Sequence, residues 1–275
     1  MTIEPNGIGG VRIRQYFTSP LIYLDHWAVR LFSDDAALAD RFIAALHAAE
    51  GTWLFSQMNL AEFTAMRDIQ TARRVEALIQ RAFPWFYVLD TVDETPYFRD
   101  DQLERPRHPD APDRHWMLRD LGDRAAIAGG NFNAHRFISD GIDYAQELHP
   151  LFEQMKRDIA SHIAEVRQRI FANQNRDELV PRENMRLVQI FKEELLVEPA
   201  GQANQRFREN DAVDFVHALP ACQLCDMVLL DGAWCHKVEL ATQRIREAGI
   251  EGKLATCYSR RTVNDFIAAL EAARQ

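Results

Sequence analysis

Residues 21 to 25 read Leu21-Ile-Tyr-Leu-Asp25, and residues 227 to 231 read Met227-Val-Leu-Leu-Asp231. Each is a short run with no polar alternation, closed by a carboxylate. Such a run suits a strand covered on both faces, as in a parallel sheet. Three more stretches have the same character: Thr52-Trp-Leu-Phe55, Phe86-Tyr-Val-Leu89 and Lys253-Leu-Ala-Thr-Cys-Tyr258. Helical stripes lie between them. Residues 35 to 49 place Leu38, Phe42, Ile43 and Leu46 on one side, and residues 58 to 82 carry Leu60, Phe63 and Met66, then Val75, Leu78 and Ile79. Residues 233 to 247 and 262 to 273 are similar, and Thr262 with Asp265 resembles a capping box. Strand, helix, strand, helix predicts an α/β fold with a five-stranded parallel sheet between helices.

The middle of the chain departs from this alternation. Residues 91 to 112 are rich in proline and charge and read as a loop. From about 113 to 200 the apolar residues recur at three and four, including a long pattern from Pro150 to Phe171. The expected organisation is an N-terminal extension (1–19), a first core part (20–92), a helical insertion (93–204) and a second core part (205–275). No internal repeat interrupts this plan.

The bulk numbers bound the function. The 275 residues suffice to bury a substantial core, and 47% hydrophobic with 27% charged residues is ordinary globular composition. No stretch approaches the roughly 20 apolar residues that span a bilayer, and the N-terminus lacks a secretory pattern, so no membrane association and a cytoplasmic location are expected. With 32 basic and 41 acidic residues the net charge is −9, which counts against nucleic-acid binding by a broad basic face. It leaves room for a metal nuclease, whose clustered acids are offset by cations. The four cysteines (Cys222, Cys225, Cys235 and Cys257) read as buried thiols rather than as a zinc site, because Cys222-x-x-Cys225 has no second pair at a usual spacing.

In open parallel sheets, ligands bind beyond the carboxyl ends of the strands. Asp25 and Asp231 each follow a strand directly. Glu62 lies on the helix after the second strand, in Ser-Gln-Met-Asn-Leu-Ala-Glu62. Asp211 and Asp214 sit three apart on the helix that feeds the fourth strand. Asp226 precedes that strand and so belongs to the opposite end. Singly, an Asp after a strand is most often a helix N-cap. As a set, these acids would repel one another unless a cation joined them, and oxygen ligands favour Mg²⁺ or Mn²⁺. His26 and His217, beside the acids, read as packing residues or as groups that orient a ligand.

In order and context, Asp25, the segment Ser56 to Glu62, Asn210-Asp211-x-x-Asp214 and Asp231 resemble the motifs of PIN-domain nucleases. The resemblance covers about residues 20 to 90 and 205 to 270. It implies a parallel sheet between helices and a Mg²⁺- or Mn²⁺-dependent ribonuclease. Asp25, Glu62 and Asp231 match the first, second and last acids of that pattern. The helix motif Asp211-Ala-Val-Asp-Phe-Val-His-Ala-Leu favours Asp211 as the third, and the spacing to Asp231 favours Asp214. The chain differs from the pattern in having His26-Trp27 after the first acid and Leu229-Leu230 before the last.

The implied chemistry is hydrolysis of phosphodiester bonds in single-stranded RNA, leaving a 5′-phosphate and a 3′-hydroxyl, with a protein partner or inhibitor as a further expectation. Trp27 could stack on a base, and Arg73-Arg74, Arg167-x-Arg169 and Arg260-Arg261 could touch phosphates. The alternative is an inactive PIN-like scaffold acting through protein interactions. A doubly wound phosphatase ranks below both, because Trp27 stands where that class carries a second acid.

Overall fold

A computed structural model describes residues 1–7, 10–89, 116–173, 185–197 and 209–273. In chain order the elements are β1 (Thr2–Pro5), β2 (Val11–Arg14), β3 (Leu21–Leu24), α1 (His26–Asp34), α2 (Ala36–Ala48), β4 (Thr52–Ser56), α3 (Gln57–Ala65), α4 (Ile69–Ala82) and β5 (Phe86–Leu89). Next come α5 (Trp116–Ile127), α6 (Ser139–Asp143), α7 (Ala145–Asn173), α8 (Leu187–Val197) and α9 (Glu209–Leu224). The chain then forms β6 (Met227–Leu229), α10 (Gly232–Glu247), β7 (Thr256–Tyr258) and α11 (Val263–Ala272). All five expected strands are present, and they form one all-parallel sheet in the order β5-β4-β3-β6-β7. No helix among the described residues is long and apolar enough to cross a membrane.

Successive residues of each strand point to opposite faces, and here both faces are covered. Ile22, Leu24, Trp53, Phe55, Phe86, Val88, Met227 and Leu229 enter a core with α1, α2, α4 and α11. Leu21, Tyr23, Leu54, Tyr87, Leu89, Val228 and Leu230 enter a second core with α8, α9 and α10. This two-sided burial is why the runs lack polar alternation.

Among its described residues, the segment between β5 and β6 forms helices joined by turns and coil, with no strand. Its buried side chains join the two cores already formed by the sheet. Met117, Leu121, Phe132 and Phe137 belong to the first, and Ile163, Ile190, Phe191 and Leu195 to the second. The helices therefore wrap the sheet from both sides. The expected loop at 91–112 and the boundaries at 92/93 and 204/205 lie outside the described residues.

Four details differ from the sequence reading. The stretch 58–82 is two helices, because Arg67 takes a left-handed backbone (φ 55°) and Asp68 caps α4 through the amides of Gln70 and Thr71. Residues 26–34 form α1, with Ala28, Val29 and Phe32 as its buried stripe. The N-terminal extension holds the antiparallel hairpin β1–β2, whose Ile3 and Ile13 pack on the first core. Thr262 does not box with Asp265; it boxes with Ser259 across the short 3-10 turn Arg260–Thr262, so α11 starts without a side-chain cap.

Candidate metal centre

The chain lays down β3, moves outward through β4 to β5, then returns to the other side of β3 to form β6 and β7. The strand order therefore reverses between β3 and β6, and such a switch point opens a crevice at the carboxyl ends. Leu24 pairs with Leu229, and the Asp25 amide still donates to the Leu229 carbonyl at 2.9 Å, carrying the ladder one residue beyond β3. Asp25 and Asp231 are thus delivered to the carboxyl end of the sheet by adjacent strands. Both also cap helices. Asp25 accepts from the His26 amide at 2.7 Å, and Asp231 accepts from Ala233 and Trp234 at 2.7 and 3.1 Å.

Glu62 arrives from α3, whose start is fixed by a reciprocal Ser56–Asn59 capping box. Asp214 and His217 arrive from α9, where a spacing of three puts them on one face. Asp25, Glu62 and His217 each offer a ligand atom, and these atoms lie within 4.8 Å of one another, so the group could hold a metal ion. It is the one such group among the described residues. Asp214 and Asp231 lie within electrostatic reach of it.

The charges make this placement costly without a cation. Burial pushes the Asp25 carboxyl up to about 6, with Glu62 and Asp231 adding to the shift and His217 opposing it. Burial likewise raises Asp214 to about 7, reinforced by Asp231 and Asp25. Burial would lower His217, but Glu62, Asp25 and Asp214 outweigh it and hold the imidazole at about 9. Burial would raise Glu62, but His217 outweighs it and keeps that carboxyl below its ordinary value.

Asp211 is not a member of the group of possible ligands found among the described residues. Its charge acts on Arg167 of α7, a residue only 7% exposed. Asp226 caps the far end of the sheet, accepting from the Leu21 amide and from Lys253. Of the basic segments, Arg74 pairs with Asp34 on the surface. Lys156 of α7 lies within electrostatic range of Glu62. Cys222, Cys225 and Cys235 are buried and Cys257 is half-buried. Burial raises the Cys222 thiol far above its ordinary value, which opposes the thiolate form that zinc needs.

Two contributions were not read from the sequence. His217 is a member of the group rather than a neighbour of it. Tyr23, inside β3, touches His217 Nδ1 with its hydroxyl and Ser56 Oγ at 3.0 Å. The available signal was the three-residue spacing from Asp214 to His217. No protein-family model matches the chain, and no curated protein and no solved structure matches it either.

Proposed function

We propose that this protein is a divalent-metal-dependent nuclease of the PIN-like type, an endoribonuclease acting on single-stranded RNA with Mg²⁺ or Mn²⁺. One observation carries the reading: Asp25 and Asp231, at the carboxyl ends of adjacent parallel strands, meet Glu62, Asp214 and His217 at the switch point of the sheet. Four potential anions beside one buried imidazole form a cation site by charge alone. A divalent ion held there supplies an activated water and neutralises charge developing on the phosphoryl oxygens. Asp25 and Asp231 keep their orientation because each is tied to the first amides of a helix. Glu62 keeps its own because the Ser56–Asn59 box sets the first turn of α3. The all-parallel sheet accords with the PIN-like fold that the motif order implies.

The test is incubation of the protein with end-labelled single-stranded RNA and DNA in Mn²⁺, Mg²⁺ or EDTA. Cleavage of RNA that needs the metal, and falls by orders of magnitude in Asp25→Asn, is the expected outcome. The scaffold reading draws on the fact that both strand-end aspartates already serve as helix caps. Wild-type protein that binds metal tightly but cleaves neither substrate would establish an inert metal-binding domain instead.

A further inference from the structure

His217 is held as a metal ligand is held. Its ring is 2% exposed. Nε2 lies 2.9 Å from Glu62 Oε2 as a buried ion pair, and both atoms are shut off from solvent. Ligand atoms of Asp25, Glu62 and His217 lie within 4.8 Å of one another, so a divalent ion bound among them would displace the proton between Nε2 and Glu62. The opposite edge of the ring is fully engaged. Asn59 Nδ2 donates to the Leu24 carbonyl at 3.2 Å, which turns Asn59 Oδ1 toward Ser56. Ser56 Oγ donates to that oxygen at 3.0 Å, so the Tyr23 proton is directed to Ser56 and the Tyr23 oxygen is left to accept from His217 Nδ1–H. The chain of donors keeps a proton on Nδ1, so the proton that a metal would displace from the ring is the one on Nε2, facing Glu62. A hydrogen bond on the far nitrogen is the usual way a protein fixes the tautomer and aim of a metal-binding imidazole.

We infer that His217 Nε2 is a ligand of the metal, positioned by Tyr23, Ser56 and Asn59, and that the site selects a transition ion such as Mn²⁺, Co²⁺ or Zn²⁺ over Mg²⁺. The inference rests on the metal centre proposed above and narrows its cofactor. Magnesium favours oxygen ligands in a near-ideal octahedron, whereas imidazole suits the transition ions. An oxygen-only set would bind both classes; one nitrogen in the set separates them.

The test uses the metals alone, with the full chain. Titration calorimetry would compare Mg²⁺, Mn²⁺ and Co²⁺, and electron-spin-echo spectroscopy of the Mn²⁺ form would detect a coordinated imidazole nitrogen. Wild type should bind Mn²⁺ and Co²⁺ more tightly than Mg²⁺ and show the nitrogen signal. His217→Asn should lose the signal and most of that preference, while His26→Asn should keep both. Tyr23→Phe keeps the ring in the core and should weaken Mn²⁺ binding by about 10- to 100-fold, as loss of an orienting partner does. An absent nitrogen signal in wild type, or a preference unchanged in His217→Asn, overturns the ligand assignment and leaves the metal-dependent nuclease standing. Failure of every ion to bind overturns both.

Discussion

Asp25 has two roles in one carboxylate, since it caps α1 and faces the other acids of the site. Asparagine caps a helix as well as aspartate does, so Asp25→Asn separates the roles. The cap stays and the charge goes. With its pKa lifted from 3.8 to about 6, the ionised carboxylate costs the metal-free fold on the order of 3 kcal/mol at neutral pH. Asp25→Asn should therefore raise the metal-free melting temperature and abolish the further rise that Mn²⁺ gives wild type. A fall in metal-free stability would mean that the cap matters more than the repulsion. The two α9 acids should part in the same assay. Asp214→Asn should blunt the Mn²⁺ response, because its charge acts on Asp25 and Asp231. Asp211→Asn should leave that response intact and lower stability, because its charge acts on the buried Arg167 guanidinium.

Among elements, α3 and α8 make a useful contrast. The short helix α3 presents Glu62, and its first turn depends on Ser56, the last residue of β4, which caps the Asn59 amide. Ser56→Ala should cost about 1 kcal/mol from the lost cap. It should also weaken metal binding, because Ser56 holds both Tyr23 and the register of Glu62. Helix α8 presents no member of the site and packs against α7, α9 and α10. Phe191 there is fully buried in the second core, and Phe191→Ala should cost about 3–5 kcal/mol. Any metal affinity measured on the remaining folded Phe191→Ala protein should match wild type. Chemical denaturation with and without Mn²⁺ measures both effects, and a large affinity loss in Phe191→Ala would mean the wrapping helices control the site's geometry.

For the whole molecule, the charge balance of the site predicts how stability varies with pH. Asp25 and Asp214 have folded pKa values of about 6 and 7 against 3.8, so the folded state binds more protons than the unfolded chain across that interval. Their favourable contribution is complete below pH 3.8 and is lost as pH climbs through about 6 to 7. His217, at about 9 against 6.5, contributes below 6.5 and loses its contribution as pH climbs through 9. Glu62 has the opposite sign, but only below its ordinary 4.5. The metal-free protein should therefore lose stability steadily from roughly pH 5 to about pH 9. Mn²⁺ competes with those protons, so its stabilising effect should grow over the same range and reach about 2.7 kcal/mol at a hundred times Kd. Thermal unfolding in EDTA and in Mn²⁺ across that range is the check. A stability curve that is flat in EDTA would mean the acids are not gathered as described.

Much of the fold was legible in the chain because two-sided burial leaves a local trace. Leu21-Ile-Tyr-Leu24 and Phe86-Tyr-Val-Leu89 begin and end where the runs do, since a strand between two helical layers needs an apolar side chain at every position. Asp25 and Asp231 were legible for a related reason, because a residue that ends a buried strand must sit at the sheet's edge. Other features had no local trace. The order β5-β4-β3-β6-β7 depends on which strands pair, and that pairing is what brings Asp25 beside Asp231. The helices between β5 and β6 looked separable because their periodicity is complete in itself; only packing shows their apolar stripes divided between the two faces of the sheet. Asp211 and Asp214 are equivalent as letters three apart, and they part company only because α7 brings Arg167 to one and the strand ends bring carboxylates to the other. His217 and Tyr23 are 194 residues apart, and no spacing along the chain encodes a hydrogen bond between them. Sequence determined which residues are buried strands and which carry charge at their ends; tertiary structure decided which charges meet, because electrostatic energy depends on distance in space and not on order along the chain.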